Sequence, residues 1–187
     1  KKSKNTFRKK PYLFNLFLLG YLFGIGFFLA GTHWISQALT FDENFKFLIP
    51  IAVIGLPLFL GIFFGIGNLI VGPFLQNNFT SILLFSSSLA FMDFIRAKIL
   101  SGFPWNLWAY TWSWKPEMLQ SLPHIGFYSF NLFCIIIYCV PLLLFFKKKI
   151  NYLLFFFLSL IFFGNYIYGA SIIKKNNENY LKLKLNS

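Results

Sequence analysis

The chain has 187 residues, of which 57% are hydrophobic and 12% charged, and its formal net charge is +12. Soluble domains of this length carry about 25% charged residues, and here the apolar residues gather in runs near the roughly 20 that a lipid-spanning helix requires. The composition excludes a soluble globular domain, and the cations flank apolar runs instead of lining an aromatic-studded stripe, which argues against nucleic-acid binding.

Residues 1–11 are a basic tail, with Lys1, Lys2, Lys4, Arg8, Lys9 and Lys10 supplying six of the 17 cations. The roughly 29 mostly apolar residues that follow are too many for a signal-peptide core and offer no small-residue cleavage site. Five spans are predicted, at about 12–30, 47–71, 80–100, 123–146 and 150–173, each long enough for ~30 Å of hydrocarbon. The first extends towards Leu39 past His33-Trp34, and the second is interrupted by Pro50 and Pro57. The fold class is therefore an all-α polytopic transmembrane helix bundle over residues 12–173, with an aromatic loop at 101–122. Lys147-Lys148-Lys149 lies an even number of crossings after the basic tail, so both fall on the cytoplasmic face under the positive-inside rule and the C-terminus falls on the periplasmic one. Lys174, Lys175, Lys182 and Lys184 run weakly against this, since sequence entering a large translocated domain obeys the rule poorly. In the 174–187 segment, Tyr180 to Leu185 alternates apolar and polar residues as a half-buried strand does, and reads as the first strand of a further domain. Beginning with Lys rather than Met, the chain reads as part of something longer.

Gly20 and Gly24, and likewise Gly61 and Gly65, lie four apart and place two glycines on one helical face, which favours close helix packing over a ligand role. Asp93 and Arg96 stand three apart on one face of the third span. An ionised group in hydrocarbon needs a partner, and this spacing supplies one. The pair is read either as a structural ion pair or as a polar site near the membrane surface that holds a lipid headgroup. Lys98 reaches the interface by snorkelling in either case. The loop from Ser101 to Trp114 holds four of the five tryptophans. Trp108, Tyr110, Trp112 and Trp114 occupy alternate positions, which in an extended chain share one side. They form an aromatic belt at headgroup level or a wall along which acyl chains slide. Cys134 and Cys139 project about 140° apart on a helix and serve as small packing residues. His33 and His124 lack further ligands at metal spacing, so no metal or cofactor is expected.

The stretch Phe91-Met-Asp93-Phe-Ile-Arg96, followed by Ser101-Gly102-Phe103-Pro104-Trp105 and Ala109-Tyr110, resembles the signature of bacterial apolipoprotein N-acyltransferases. Gly24 to Gly31 with His33-Trp34, and the Met118 to Asn131 region, are similar to the flanking helices of that family. Asp93 stands where a glutamate is usual, Ser101 replaces a threonine, and Ala109 stands where a glycine is common. The resemblance implies an enzyme of the bacterial inner membrane that takes an acyl chain from a phospholipid onto a cysteine as a thioester. It then passes that chain to the N-terminal amine of a diacylglyceryl-modified lipoprotein. It also implies earlier membrane helices and a nitrilase-like periplasmic domain carrying a Glu-Lys-Cys set. Neither Cys134 nor Cys139 matches that nucleophile, so the chain carries no catalytic residue and is expected to be inactive alone. Asp93, Arg96, Phe103, Pro104, Trp105, Trp108 and Tyr110 are then candidates for a lipid or substrate platform. Two rival readings are a transporter or channel subunit, with Asp93 and Arg96 lining a polar path, and a membrane scaffold without chemistry.

Overall fold

A computed structural model describes residues 10–99, 106–146 and 148–185. Its five long helices are α1 (Lys10–Thr32), α2 (Leu56–Val71), α3 (Phe79–Ile99), α4 (Phe127–Cys139) and α5 (Lys149–Leu185), joined by short helical turns. No strand occurs among the described residues. Four stretches are long and apolar enough to cross a membrane: Tyr12–Thr32, Glu43–Phe74, Phe127–Phe146 and Lys149–Glu178. The protein is an all-α, polytopic membrane bundle. Helix α3 occupies the place of the predicted third span with 21 residues, but it carries Asp93, Arg96 and Lys98 and is not one of the four.

The chain divides into two compact units, residues 1–76 with 83–106, and residues 77–82 with 107–187. In the first, α1 buries Gly20, Gly24, Phe28 and Thr32. The spacing of four keeps these residues on one stripe of the helix. Helix α2 answers with Leu60, Gly61, Phe64, Gly65 and Asn68. The two helices run antiparallel. A β-carbon on Gly20 would stand 2.6 Å from the Phe64 carbonyl oxygen, and one on Gly24 would stand 2.9 Å from the Gly61 α-carbon. One on Gly65 would meet the Phe17 ring at 2.6 Å. Backbones in lipid approach this closely only where side chains are missing. Asn68 Nδ2 donates to the Leu16 carbonyl at 2.6 Å and adds a polar tie across the pair. Ahead of α2, Ile51–Gly55 forms a π-helical turn. Pro57 has no N–H to give the carbonyl four residues back, so the ladder is interrupted there.

In the second unit, Val140–Phe146 continues α4 as a 3-10 helix. Val140 and Leu143 pack with Ile82 and with Leu154, Phe155 and Leu158 of α5. A second core joins Ala109, Met118, Phe130 and Cys134, with Trp108, Trp112 and Phe162 against it. Helix α5 is continuous over 37 residues.

Several expectations are corrected. The first span stops at Thr32, and Ile35–Ala38 is a separate turn rather than an extension of it. The fourth begins at Phe127 and not at Pro123, because Gly126 at φ 76° breaks the helix after a single turn over Leu122–Ile125. The strand predicted over Tyr180 to Leu185 is the last part of α5. Alternation selects a strand only where a neighbouring edge accepts its backbone bonds, whereas a helix satisfies them within itself.

Candidate functional site

Arg96 Nη2 donates to Asp93 Oδ1 at 3.1 Å, and the two side chains are 1% and 0% exposed. They extend the buried stripe of α3 that runs through Ser86 and Leu89, because steps of three and four return to the same helical face. The guanidinium carbon lies 5.0 Å from the centroid of the Phe28 ring on α1. Carboxylate and ring together offset part of the cost of removing a guanidinium from water. Arg96 Nε has no hydrogen-bond partner among the described residues. Lys98 points elsewhere, with its ammonium 5.7 Å from the Phe94 ring and its side chain exposed.

Asn106 closes this end of the first unit. It adopts φ 54°, a left-handed conformation that asparagine tolerates better than most residues. Its Nδ2 donates to the Phe27 carbonyl at 3.3 Å. The amide lies directly on Gly31, where any β-carbon would overlap it. Phe103, Pro104 and Trp105 lie outside the described residues.

The aromatic loop is not extended. Trp108–Trp112 forms a 3-10 turn, so alternate residues diverge instead of sharing a side. Trp108 packs on Tyr138 with ring centroids 5.8 Å apart, Tyr110 on Phe127 at 5.3 Å, and Trp112 on Phe162 at 5.1 Å. The turn is fixed from within the core by the Ala109 N–H, which donates to Asn131 Oδ1 at 3.1 Å. Asn131 is fully buried and Ala109 is 1% exposed. A buried N–H needs such an acceptor. Thr111 Oγ1 bonds back to the Trp108 carbonyl at 2.7 Å and also meets the Tyr138 hydroxyl.

The loop then docks on α5. Asn165 Nδ2 donates to the Met118 carbonyl at 3.1 Å. Gly169 abuts the Glu117 carbonyl so closely that no side chain fits between them. Asn106, Asn165 and Gly169 were not singled out by sequence reasoning, and Asn131 only through the family resemblance. A lone asparagine in an apolar span was the available signal, since it must find a partner.

The histidines and cysteines assemble no chemistry. His33 Nδ1 donates to the Ala30 carbonyl at 2.7 Å, and His124 Nε2 shares a proton contact with the Tyr168 hydroxyl at 3.1 Å. Cys134 and Cys139 lie within α4 and are not joined in a disulfide. No metal-binding group of three or more His, Cys, Asp or Glu occurs among the described residues.

Residues 7–140 match the apolipoprotein N-acyltransferase N-terminal domain. The chain belongs to the apolipoprotein N-acyltransferase family. It is 34% identical over 132 residues to the apolipoprotein N-acyltransferase of Rhizobium etli, covering 70% of this chain and 25% of that protein. The Rickettsia prowazekii enzyme of the same name is 34% identical over 169 residues, or 89% of this chain and 34% of the relative. That of Rickettsia bellii is 35% identical over 136 residues, or 72% and 27%. The chain thus spans a quarter to a third of the length of these relatives. No solved structure matches it.

Proposed function

We propose that this chain is the membrane platform of an apolipoprotein N-acyltransferase, the part that holds phospholipid and lipoprotein while a thiol supplied from outside these 187 residues carries the acyl group. The observation behind the proposal is the family match over residues 7–140, which includes the Asp93–Arg96 pair and the aromatic turn. The proposed reaction is a double displacement. A cysteine thiolate attacks the ester carbonyl of a phospholipid, forming a thioester and releasing a lysophospholipid. The free N-terminal amine of a diacylglyceryl-modified lipoprotein then attacks the thioester, forming an amide and returning the thiol.

Such a step needs a positioned thiolate, a base to generate it and donors for the oxyanion. Cys134 lies 2% exposed among apolar side chains. No histidine or carboxylate occurs within a helical turn of Cys134 or Cys139 in the sequence. Neither thiol meets the need. The platform residues serve binding: Trp108 and Tyr110 present aromatic surface held by the Asn131 anchor. The proposed location is the bacterial inner membrane, with the N-terminus cytoplasmic and residues 103–120 periplasmic. A polar transport path is disfavoured, because Asp93 and Arg96 are bonded to each other and expose at most 1% of their surface.

Incubation of the reconstituted chain with phospholipid labelled in its acyl groups, followed by hydroxylamine, tests the assignment. No hydroxylamine-sensitive label should form on the chain alone, and fusion to a family nitrilase-like domain should produce both thioester and acylated lipoprotein. Label on Cys134 or Cys139 would overturn the platform reading.

A further inference from the structure

Helices α1, α2 and α3 leave a hollow of about 420 Å³ between them, lined by Leu19, Phe23, Phe64, Phe85 and Leu89, with Asn68 in its wall. Leu19 and Phe23 are exposed, so the hollow opens towards lipid. We propose that it binds a small aromatic molecule of one or two rings that carries a single N–H or O–H donor, of the indole or phenol class. The inference rests on the packing of these three helices and is independent of the acyl-transfer proposal.

Three observations carry it. The first is a single unmatched acceptor. Asn68 is 5% exposed, and its Nδ2 donates to the Leu16 carbonyl at 2.6 Å. That bond fixes the orientation of the amide, because only its nitrogen has protons to give. Oδ1 is left over, and it accepts no hydrogen bond among the described residues. A β-carbon on Gly20 would stand 2.6 Å from Asn68 Cβ, so the glycine is what lets this residue lie against α1.

The second is what the walls exclude. A water held in a cavity needs about two to four polar partners, and apart from Asn68 the lining side chains are apolar. An acyl chain suits those walls but brings no donor. Lipid donors lie at the headgroup, whereas Asn68 is six residues inside Phe74, the end of its apolar stretch, or roughly 9 Å along the axis. An occupant that matches the whole wall is apolar over its body and carries one donor. Small-molecule sites commonly have this make-up, mostly apolar with a few placed polar groups.

The third is shape and rigidity. Phe23, Phe64 and Phe85 bring one phenyl ring from each helix, and a flat aromatic occupant packs well among rings. Phe23 and Phe64 lie with centroids 6.1 Å apart and planes 18° from parallel. Ser88 Oγ donates to the Gly67 carbonyl at 3.0 Å and ties α3 to α2 beside the hollow, as Asn68 ties α2 to α1. A site built before its ligand arrives loses little entropy on binding.

The test uses the full chain in nanodiscs and fluorine NMR of 5-fluoroindole and 5-fluoro-1-methylindole, each referenced to protein-free discs to remove partitioning into lipid. N-methylation deletes the donor and keeps the rings. The indole should bind about five- to thirty-fold more tightly, the range set by leaving one buried acceptor unmatched. Asn68→Leu should erase that preference. Phe85→Trp, which fills the hollow and keeps Asn68, should abolish binding of both probes. Ile70→Leu, at an exposed position of α2 outside the hollow, should leave both unchanged. Circular dichroism of each variant confirms that the helices are intact. No binding of either probe, equal binding of both, a preference that survives Asn68→Leu, or binding that survives Phe85→Trp would overturn the proposal.

Discussion

Asp93 and Arg96 are bound to each other at 3.1 Å, one turn apart on α3, with neither side chain more than 1% exposed. Their charges cancel locally, which lowers the cost of carrying α3 through an apolar layer. Removing one partner breaks the pair and leaves a buried charge uncompensated, at a cost of about 3–5 kcal/mol. Asp93→Asn and Arg96→Gln should each lower the stability of the reconstituted bundle by that order, and the double variant should be milder than the sum. A thermodynamic double-mutant cycle reads the difference directly, and strict additivity would show that the two groups do not interact.

Glycines on α1 should divide by position. A β-carbon at Gly24 would meet the Gly61 backbone at 2.9 Å, whereas one at Gly26 meets nothing within 4 Å. Gly24→Ala therefore forces α1 and α2 apart and should cost about 1–3 kcal/mol, as overpacking does. Gly26→Ala should be neutral or stabilise the helix by up to about 1 kcal/mol. Unfolding in mixed micelles would compare them, and equal effects would remove the close crossing.

Asn131→Leu should loosen the aromatic turn. It leaves the Ala109 N–H buried without an acceptor, at a cost of about 1–3 kcal/mol. Hydrogen exchange at the Ala109 amide should accelerate, and Trp108 emission should change as the ring leaves Tyr138. Unchanged exchange would mean that the Asn131 carbonyl is not the anchor.

Topology is open to a direct measurement. With the N-terminus cytoplasmic, a single cysteine at Ser113, with Cys134 and Cys139 replaced by serine, should react with an impermeant maleimide added to intact cells. One at Lys148 should be protected until the membrane is opened. The reverse pattern would invert the bundle.

What could be read without coordinates divides along the range of the interactions. The Asp93–Arg96 pair was visible because its partners are three residues apart and helix geometry alone unites them. The glycine spacings announced a close approach, though not which helices made it. The shared side of the alternate aromatics held only on the condition of an extended chain, and such spacing looks the same in sequence whether the chain is extended or a 3-10 turn. What sets the turn is a carbonyl at Asn131, twenty-two positions away from Ala109. The start of α4 depended on Gly126 at φ 76°, a backbone choice that glycine permits without announcing. Alternation over Tyr180 to Leu185 described a strand only on the assumption of a neighbouring sheet edge.

Helix α5 has a mechanical consequence. Its 37 residues extend for about 56 Å at 1.5 Å per residue, against an apolar layer of roughly 30 Å. Nearly half of it therefore projects beyond the hydrocarbon as one uninterrupted rod. Membrane helices adjust to bilayer thickness by tilting, and a rod of this length acts as a lever. A change of about 10° in tilt about its far end sweeps its tip sideways by roughly 10 Å. Bilayer thickness thus becomes an input that sets the lateral position of the tip of α5 over the membrane surface.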